Sequence, residues 1–288
     1  MDETSIFKKT LFFYDIASKP FDIMKTSGKK YTTRYFLKKA FPNNQAFKVN
    51  ESKIIQIYEF TDEFLFGSVG KLENNSKLLF KRTRDIINLS SNPLKLENPN
   101  LKIEDFTFFY IGNNFTNIVV LKNDDAPRIN KCLCNYVQAK CPELEYIRIF
   151  EQKIENIEDE LKKFKKFLNI SFAFKAKKYK NAIPLIKELS YLSENDIERV
   201  NINLDIHKQI ADKKFLNEIS ENDYSHLLTY KIKGLTEDST LEQSIDLIKQ
   251  VLTKKVVIDL QSDWIVNESK IKDILSKELF NSIKRNTK

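Results

Sequence analysis

Residues 53–84, KIIQIYEFTDEFLFGSVGKLENNSKLLFKRTR, decide the class of fold. The first eight residues alternate between apolar and polar side chains. Successive side chains of a strand point to opposite faces, so this period of two marks a half-buried strand. Residues 63–69 and 77–84 read as two more strands, split by the turn formers Glu73, Asn74, Asn75 and Ser76. The succession predicts an antiparallel meander.

Working outward, residues 11–16 (LFFYDI) predict a strand and 32–40 a short helix stopped near Pro42. Residues 106–111 and 115–121 predict a hairpin about Gly112, Asn113 and Asn114. A helix is expected from Asp125-Ala126-Pro127 to Lys140, ended by Pro142. Strands are then expected over 144–150, 170–174, 199–206, 226–233 and 255–260. Helices are expected over 154–167, 182–192, 213–219, 241–252 and 268–284, the first from apolar residues at helical spacing and the last with Ile271, Ile274, Leu275 and Leu279 as its apolar residues. The expected fold is therefore α+β. A strand-rich domain with an antiparallel sheet covers 1–143. A domain alternating helix and strand, layered helices on a sheet, covers 144–288, with the boundary between 141 and 167.

Composition narrows the chemistry. The chain of 288 residues is 41% hydrophobic and 31% charged, enough to bury a core and keep a wet surface. It contains 22 Phe and 11 Tyr, which favour strands and filled cores. Only 5 glycines occur, whereas average usage near 7% would give roughly 20. Phosphate-cradling loops need glycine where backbone approaches ligand, so this scarcity counts against Rossmann and P-loop nucleotide enzymes. Phe66-Gly67-Ser68-Val69-Gly70-Lys71 has the tail of a P-loop, but Leu65 stands where the first glycine belongs and Leu72 where Ser or Thr belongs. No apolar run is long enough to span a bilayer, and no secretion signal opens the chain, so no membrane partner and a cytoplasmic location are expected.

Net charge is +8, with 22 Lys and Arg against 16 Asp and Glu in residues 1–143. Between Asp22 and Glu51 no acidic residue occurs. There Lys29, Lys30, Arg34, Lys38 and Lys39 interleave with Tyr31, Tyr35, Phe36, Phe41 and Phe47. Cations neutralise phosphates and exposed rings stack on bases, so this segment is the candidate contact with DNA or RNA. Arg82 and Arg84, two apart on an expected strand, extend it. The competing reading is a solvated helix whose rings face the core. Lys162, Lys163, Lys165 and Lys166 follow Glu155, Glu158, Asp159 and Glu160, an order that suits a helix dipole and reads as structural.

Catalytic motifs are sparse. Cys132, Cys134 and Cys141 lack zinc-site spacing and read as inert thiols, so no metal is assigned. His207 and His226 have no motif-placed nucleophile beside them. One enzymatic reading stays open, a Mg²⁺-dependent nuclease with Glu151 and Lys153 at a strand end and Asp124 or Asp125 upstream. The same short Glu-x-Lys pattern recurs at Glu51, Glu160 and Glu268, as chance would produce in this composition. Otherwise no cofactor is expected. A third reading is a protein–protein module, a subunit or inhibitor that docks on a larger complex.

Phe66-Gly67-x-x-Gly70-Lys71 on a strand, the segment FTFFYIG, the helix after Asp125-Ala126-Pro127 and the pattern IKGLTEDSTLEQSIDLIKQVLTKKVVIDL are spread over most of the chain. In these segments the chain resembles a loosely defined group of uncharacterised bacterial proteins encoded near phage-defence and mobile genetic elements. The resemblance implies a part in phage–host conflict and carries no catalytic residue across. Joined to the basic segment, it makes a non-enzymatic binding protein that contacts nucleic acid, or a nucleic-acid machine, the leading expectation.

Overall fold

The computed structural model describes residues 5–22, 31–73, 81–85, 87, 89–92, 101–175, 199–206, 227–236, 241–260 and 267–286. The first elements are β1 (Ser5–Pro20), α1 (Thr33–Ala40), β2 (Ala46–Lys48), β3 (Lys53–Phe60), β4 (Leu65–Glu73), β5 (Lys81–Asp85) and β6 (Ser91–Asn92). Next come β7 (Leu101–Gly112), β8 (Asn117–Leu121), α2 (Ile129–Lys140) and β9 (Leu144–Glu151). The remainder are α3 (Ile157–Lys162), β10 (Phe164–Lys175), β11 (Arg199–Asp205), β12 (Leu227–Thr236), β13 (Gln243–Asp246), β14 (Val251–Leu260) and α4 (Glu268–Asn286). The chain divides into two units: Met1–Gln152 with Val256–Lys288, and Lys153–Lys255. The sequence reading put residues 144–150 and the closing helix in a second domain, whereas the contacts put β9 and α4 in the first unit.

The meander expected from residues 53–84 is the centre of the first unit. Its strands follow the order β2-β3-β4-β7-β8-β1, with antiparallel pairing throughout. β9 pairs antiparallel with the later part of β1, from Tyr14↔Glu151 to Pro20↔Leu144. β7 has β4 along one edge. Its other edge is shared, β8 meeting Phe109–Gly112 and β5 meeting Leu101–Asp105.

Both faces of this sheet are apolar, and residue parity sorts them. Ile55, Ile57, Leu65, Val69, Phe109, Ile111, Ile118, Val120 and Ile16 pack with Phe36, Leu37, Leu133 and Val137 of α1 and α2. Leu11, Phe13, Phe66, Phe106, Phe108 and Val119, one residue out of step, pack with Ile271, Leu275 and Leu279 of α4. Strand alternation thus feeds two helical layers from one sheet. Each wholly buried Leu, Ile or Phe stabilises by about 1.5–3 kcal/mol relative to exposure. Close packing also explains Gly67, since a Cβ there would lie 2.6 Å from the Gln56 carbonyl oxygen and 2.8 Å from Phe109 Cζ.

The second unit is an antiparallel sheet in the order β11-β10-β12-β13-β14, with α3 packed on β10. Leu161, Phe164, Phe167, Ile170, Ile232 and Ile245 form its core. Two expectations are corrected here. Residues 154–167 were expected as one helix, but only Ile157–Lys162 is helical and Phe164 starts a strand. Irregularities between Phe164 and Lys166 and between Phe167 and Asn169 keep Phe164, Phe167 and Ile170 all buried at a spacing of three. Residues 241–252 were also expected as a helix and instead form the hairpin β13–β14. Ile245 lies opposite Leu252 across it. Asp246 Oδ1 accepts from the Lys249 amide at 3.0 Å, and Gln250 takes φ 56°. The apolar period there reflects cross-strand partners rather than one helical face. The layered α/β domain expected over 144–288 is therefore mostly sheet among the described residues. The helices expected over 182–192 and 213–219 lie outside the described residues.

Candidate functional site

The basic segment lies on α1. Thr32 caps it by accepting from the Tyr35 amide at 3.2 Å, and Lys38 and Lys39 sit in the last turn, where cations suit the helix dipole. Arg34 forms an ion pair with Asp62, and its guanidinium lies 6.0 Å from the Phe115 ring centroid. Lys38 Nζ lies 4.9 Å from the Phe60 ring centroid. Lys39 Nζ donates to both oxygens of Glu143, at 2.6 and 2.7 Å. Burial pushes the Glu143 carboxyl up, but the hydrogen bond from Lys39 and those from its own backbone amide and Tyr35 outweigh it and hold the carboxyl below 4.5. Phe36, Phe41 and Phe47 are buried, and Tyr31 stacks on Phe36 at 6.0 Å. Phe36, Phe41 and Phe47 thus belong to the core and Tyr31 packs against it, whereas Tyr35 is exposed at 38%. Lys29 and Lys30 lie outside the described residues. Arg82 is on β5 by its backbone, and its side chain is also outside them.

The carboxylates of the nuclease reading do not share a locality. Asp124 pairs with Lys122 at 2.7 Å, and both Asp124 and Asp125 act electrostatically on Lys9. Glu151 acts on Tyr14. Lys9 and Tyr14 stand five residues apart on β1, about 16 Å of strand, with opposite parity. Lys153, in the second unit, donates to the Lys249 carbonyl. Among the described residues no cluster of three His, Cys, Asp or Glu side chains is arranged to hold a metal. His207 and His226 lie outside the described residues. Cys132 and Cys141 are buried and Cys134 partly so, and burial pushes all three thiols up to about 11.

Arg84 is wholly buried, which takes it off any surface. Its Nε donates to Glu104 Oε2 at 2.8 Å, and Glu104 is equally buried. Its Nη1 donates to Gln56 Oε1 at 3.2 Å and to the Leu89 carbonyl. One guanidinium thereby joins β5, β7, β3 and the segment before β6. Glu104 fits there because residue 70 is glycine, since a Cβ on Gly70 would stand 1.8 Å from Glu104 Oε1. Leu89 has φ 61°, a left-handed conformation that a branched side chain rarely adopts and that tertiary contacts must impose.

Gln56 and Leu89 form part of the wall of a cleft of about 730 Å³. Gln45, Ala46 and Tyr58 continue the wall from β2 and β3, and Ser90 and Glu268 complete the described lining. Tyr58 Oη and Ser68 Oγ are hydrogen-bonded at 3.0 Å, which fixes the ring. The volume falls in the range of small-molecule sites. Amide, hydroxyl and carboxylate groups on one concave wall can bind a polar ligand by hydrogen bonds.

Sequence reasoning missed this cleft and assigned Arg84 to a nucleic-acid surface. The signal was present in GSVG, because glycine inside a strand marks a close approach of another group. Here that group is Glu104, whose charge calls for a buried cation. No protein-family model matches the chain, and no curated protein is significantly similar to it. No helix among the described residues is long and apolar enough to cross a membrane.

Proposed function

We propose that the chain is a binding protein whose ligand seat is the cleft beside Arg84. One observation carries this reading: a wholly buried arginine fixes two wall elements, Gln56 and the left-handed Leu89, at one concave surface. A buried ion pair gives little net stability over an apolar substitute of equal volume. Its value here lies in holding polar wall groups in place before a ligand arrives, which lowers the ordering entropy lost on binding. Screening a chemically diverse set of small molecules by thermal shift tests it, with Ser90→Trp as a variant that fills the cleft. Compounds that stabilise the parent and not Ser90→Trp are expected. A screen whose hits ignore that substitution rejects the reading.

Contact with DNA or RNA through α1 ranks below this, because Arg34, Lys38 and Lys39 each hold an internal partner. Salt-sensitive DNA affinity lost in the triple variant R34E/K38E/K39E, at an unchanged melting temperature, would reverse the order. Mg²⁺-dependent cleavage by Glu151, Lys153 and Asp124 or Asp125 ranks lower still, since Glu151 pairs with Tyr14 while Asp124 and Asp125 act on Lys9, about 16 Å away along β1. Docking on a larger protein complex has no single described patch to favour it. The phage–host setting rests on the resemblance alone.

A further inference from the structure

We infer that the cleft takes an uncharged polyhydroxylated ligand, a free sugar or the sugar of a nucleoside, with Gln56 as the residue that selects it. The inference rests on the cleft being the ligand seat. It follows from counting what Gln56 has left to offer. A carboxamide carries two N–H donors and two acceptor lone pairs. Arg84 fixes which end is which, because its Nη1 can only donate, so the atom it meets at 3.2 Å is the carbonyl oxygen. The amide nitrogen donates one hydrogen to the Ile57 carbonyl at 3.2 Å. One N–H and one lone pair remain.

That remainder sorts ligands by chemistry. A carboxylate has only acceptors and would leave the lone pair facing an anionic oxygen, and a phosphate brings net negative charge that no cation of the described lining meets. An ammonium has only donors and would leave the N–H without a partner. Two neighbouring hydroxyls satisfy both, one accepting from Nε2 and the other donating to Oε1. A polar group that a bound ligand screens from water without meeting it is expensive, so this matching discriminates.

The rest of the wall agrees. The charge of Arg84 is matched by Glu104, so it draws no anion. The described lining adds the polar residues Gln45, Ser90 and Glu268, and among the described residues no lysine or arginine. Hydroxyl-bearing ligands use amide, hydroxyl and carboxylate groups alike, whereas an anion would be repelled by the carboxylate. Tyr58, held at its hydroxyl by Ser68, lines the same space.

Amide NMR on the full chain tests this with four probes: glucose, adenosine, adenine and inorganic phosphate. Shifts at Ala46, the Gln56 side-chain amide and Ser90 are expected with glucose or adenosine, and not with phosphate. Glucose alone indicates a free sugar. Adenosine without glucose, and without adenine, indicates a nucleoside read through its ribose. Gln56→Glu keeps an acceptor for Arg84 and removes the remaining N–H, so a loss of at least tenfold in affinity is expected in a variant whose spectrum stays native. Phosphate or adenine acting alone at these positions overturns the ligand class and leaves the seat standing. No response to any of the four probes also overturns the class. The thermal-shift screen against Ser90→Trp then decides separately whether the seat falls with it.

Discussion

Arg84 and Glu104 meet at 2.8 Å from Nε to Oε2, twenty residues apart in sequence, with neither side chain reaching solvent. Breaking such a pair leaves one charge buried alone. Arg84→Ala or Glu104→Ala is expected to lower unfolding free energy by about 3–5 kcal/mol. The joint variant R84M/E104L is expected to recover most of that loss while losing the ligand response of the cleft. Urea unfolding of the three variants measures it. Single losses below about 1 kcal/mol would mean that the pair is solvated.

Gly70 carries the same relationship into the backbone of β4. A methyl group there would overlap the Glu104 carboxylate. Gly70→Ala is expected to destabilise by about 1–3 kcal/mol, the usual penalty of overpacking. Adding Glu104→Ala should shrink the Gly70→Ala penalty, because the two positions are coupled through one volume. A double-mutant cycle by urea unfolding reads this directly, and strict additivity would refute it.

Lys39 and Glu143 tie α1 to the turn after α2. The Glu143 carboxyl is held below its ordinary 4.5, burial opposing and hydrogen bonds prevailing. A depressed carboxyl stabilises the fold above the unfolded-state value and loses that contribution as pH falls through the folded one. The window is therefore below 4.5. Glu143→Gln should be less stable than the parent near neutrality, with the difference narrowing in acid. Urea midpoints between about pH 3 and pH 7 test it. A constant difference across that range would exclude the ion pair as its cause.

The three thiols offer a check on packing. Each is pushed up to about 11 by burial, so thiolate is scarce at neutral pH. Iodoacetamide near pH 8 is expected to label none of Cys132, Cys134 and Cys141 at the rate of a free thiol in the native state, and all three in urea. Rapid labelling of Cys132 or Cys141 in the folded protein would contradict their burial.

Local signals carried most of the first unit. Alternation in residues 53–60, the capping Thr32 before α1 and the glycine-asparagine turn after β7 state their structures within a few residues. Long-range partners were harder to read. Residues 241–252 have apolar spacing that fits a helix, and only the pairing of Ile245 with Leu252 makes it a hairpin. Arg84 carries no mark of burial in its own neighbourhood. Its fate is set by Glu104 and Gly70, which lie on other strands. Arg34, Lys38 and Lys39 likewise look free in an acid-free stretch until Asp62, Phe60 and Glu143 arrive from elsewhere.

The position of α4 bears on biosynthesis. Its Ile271, Leu275 and Leu279 cover Phe13, Phe66, Phe106 and Phe108, yet the whole of Lys153–Lys255 must leave the ribosome before α4 does. A nascent chain ending anywhere before α4 carries a broad, greasy aromatic surface. Such intermediates are sticky, so premature termination or slow translation in the second unit should yield insoluble product and engage chaperones.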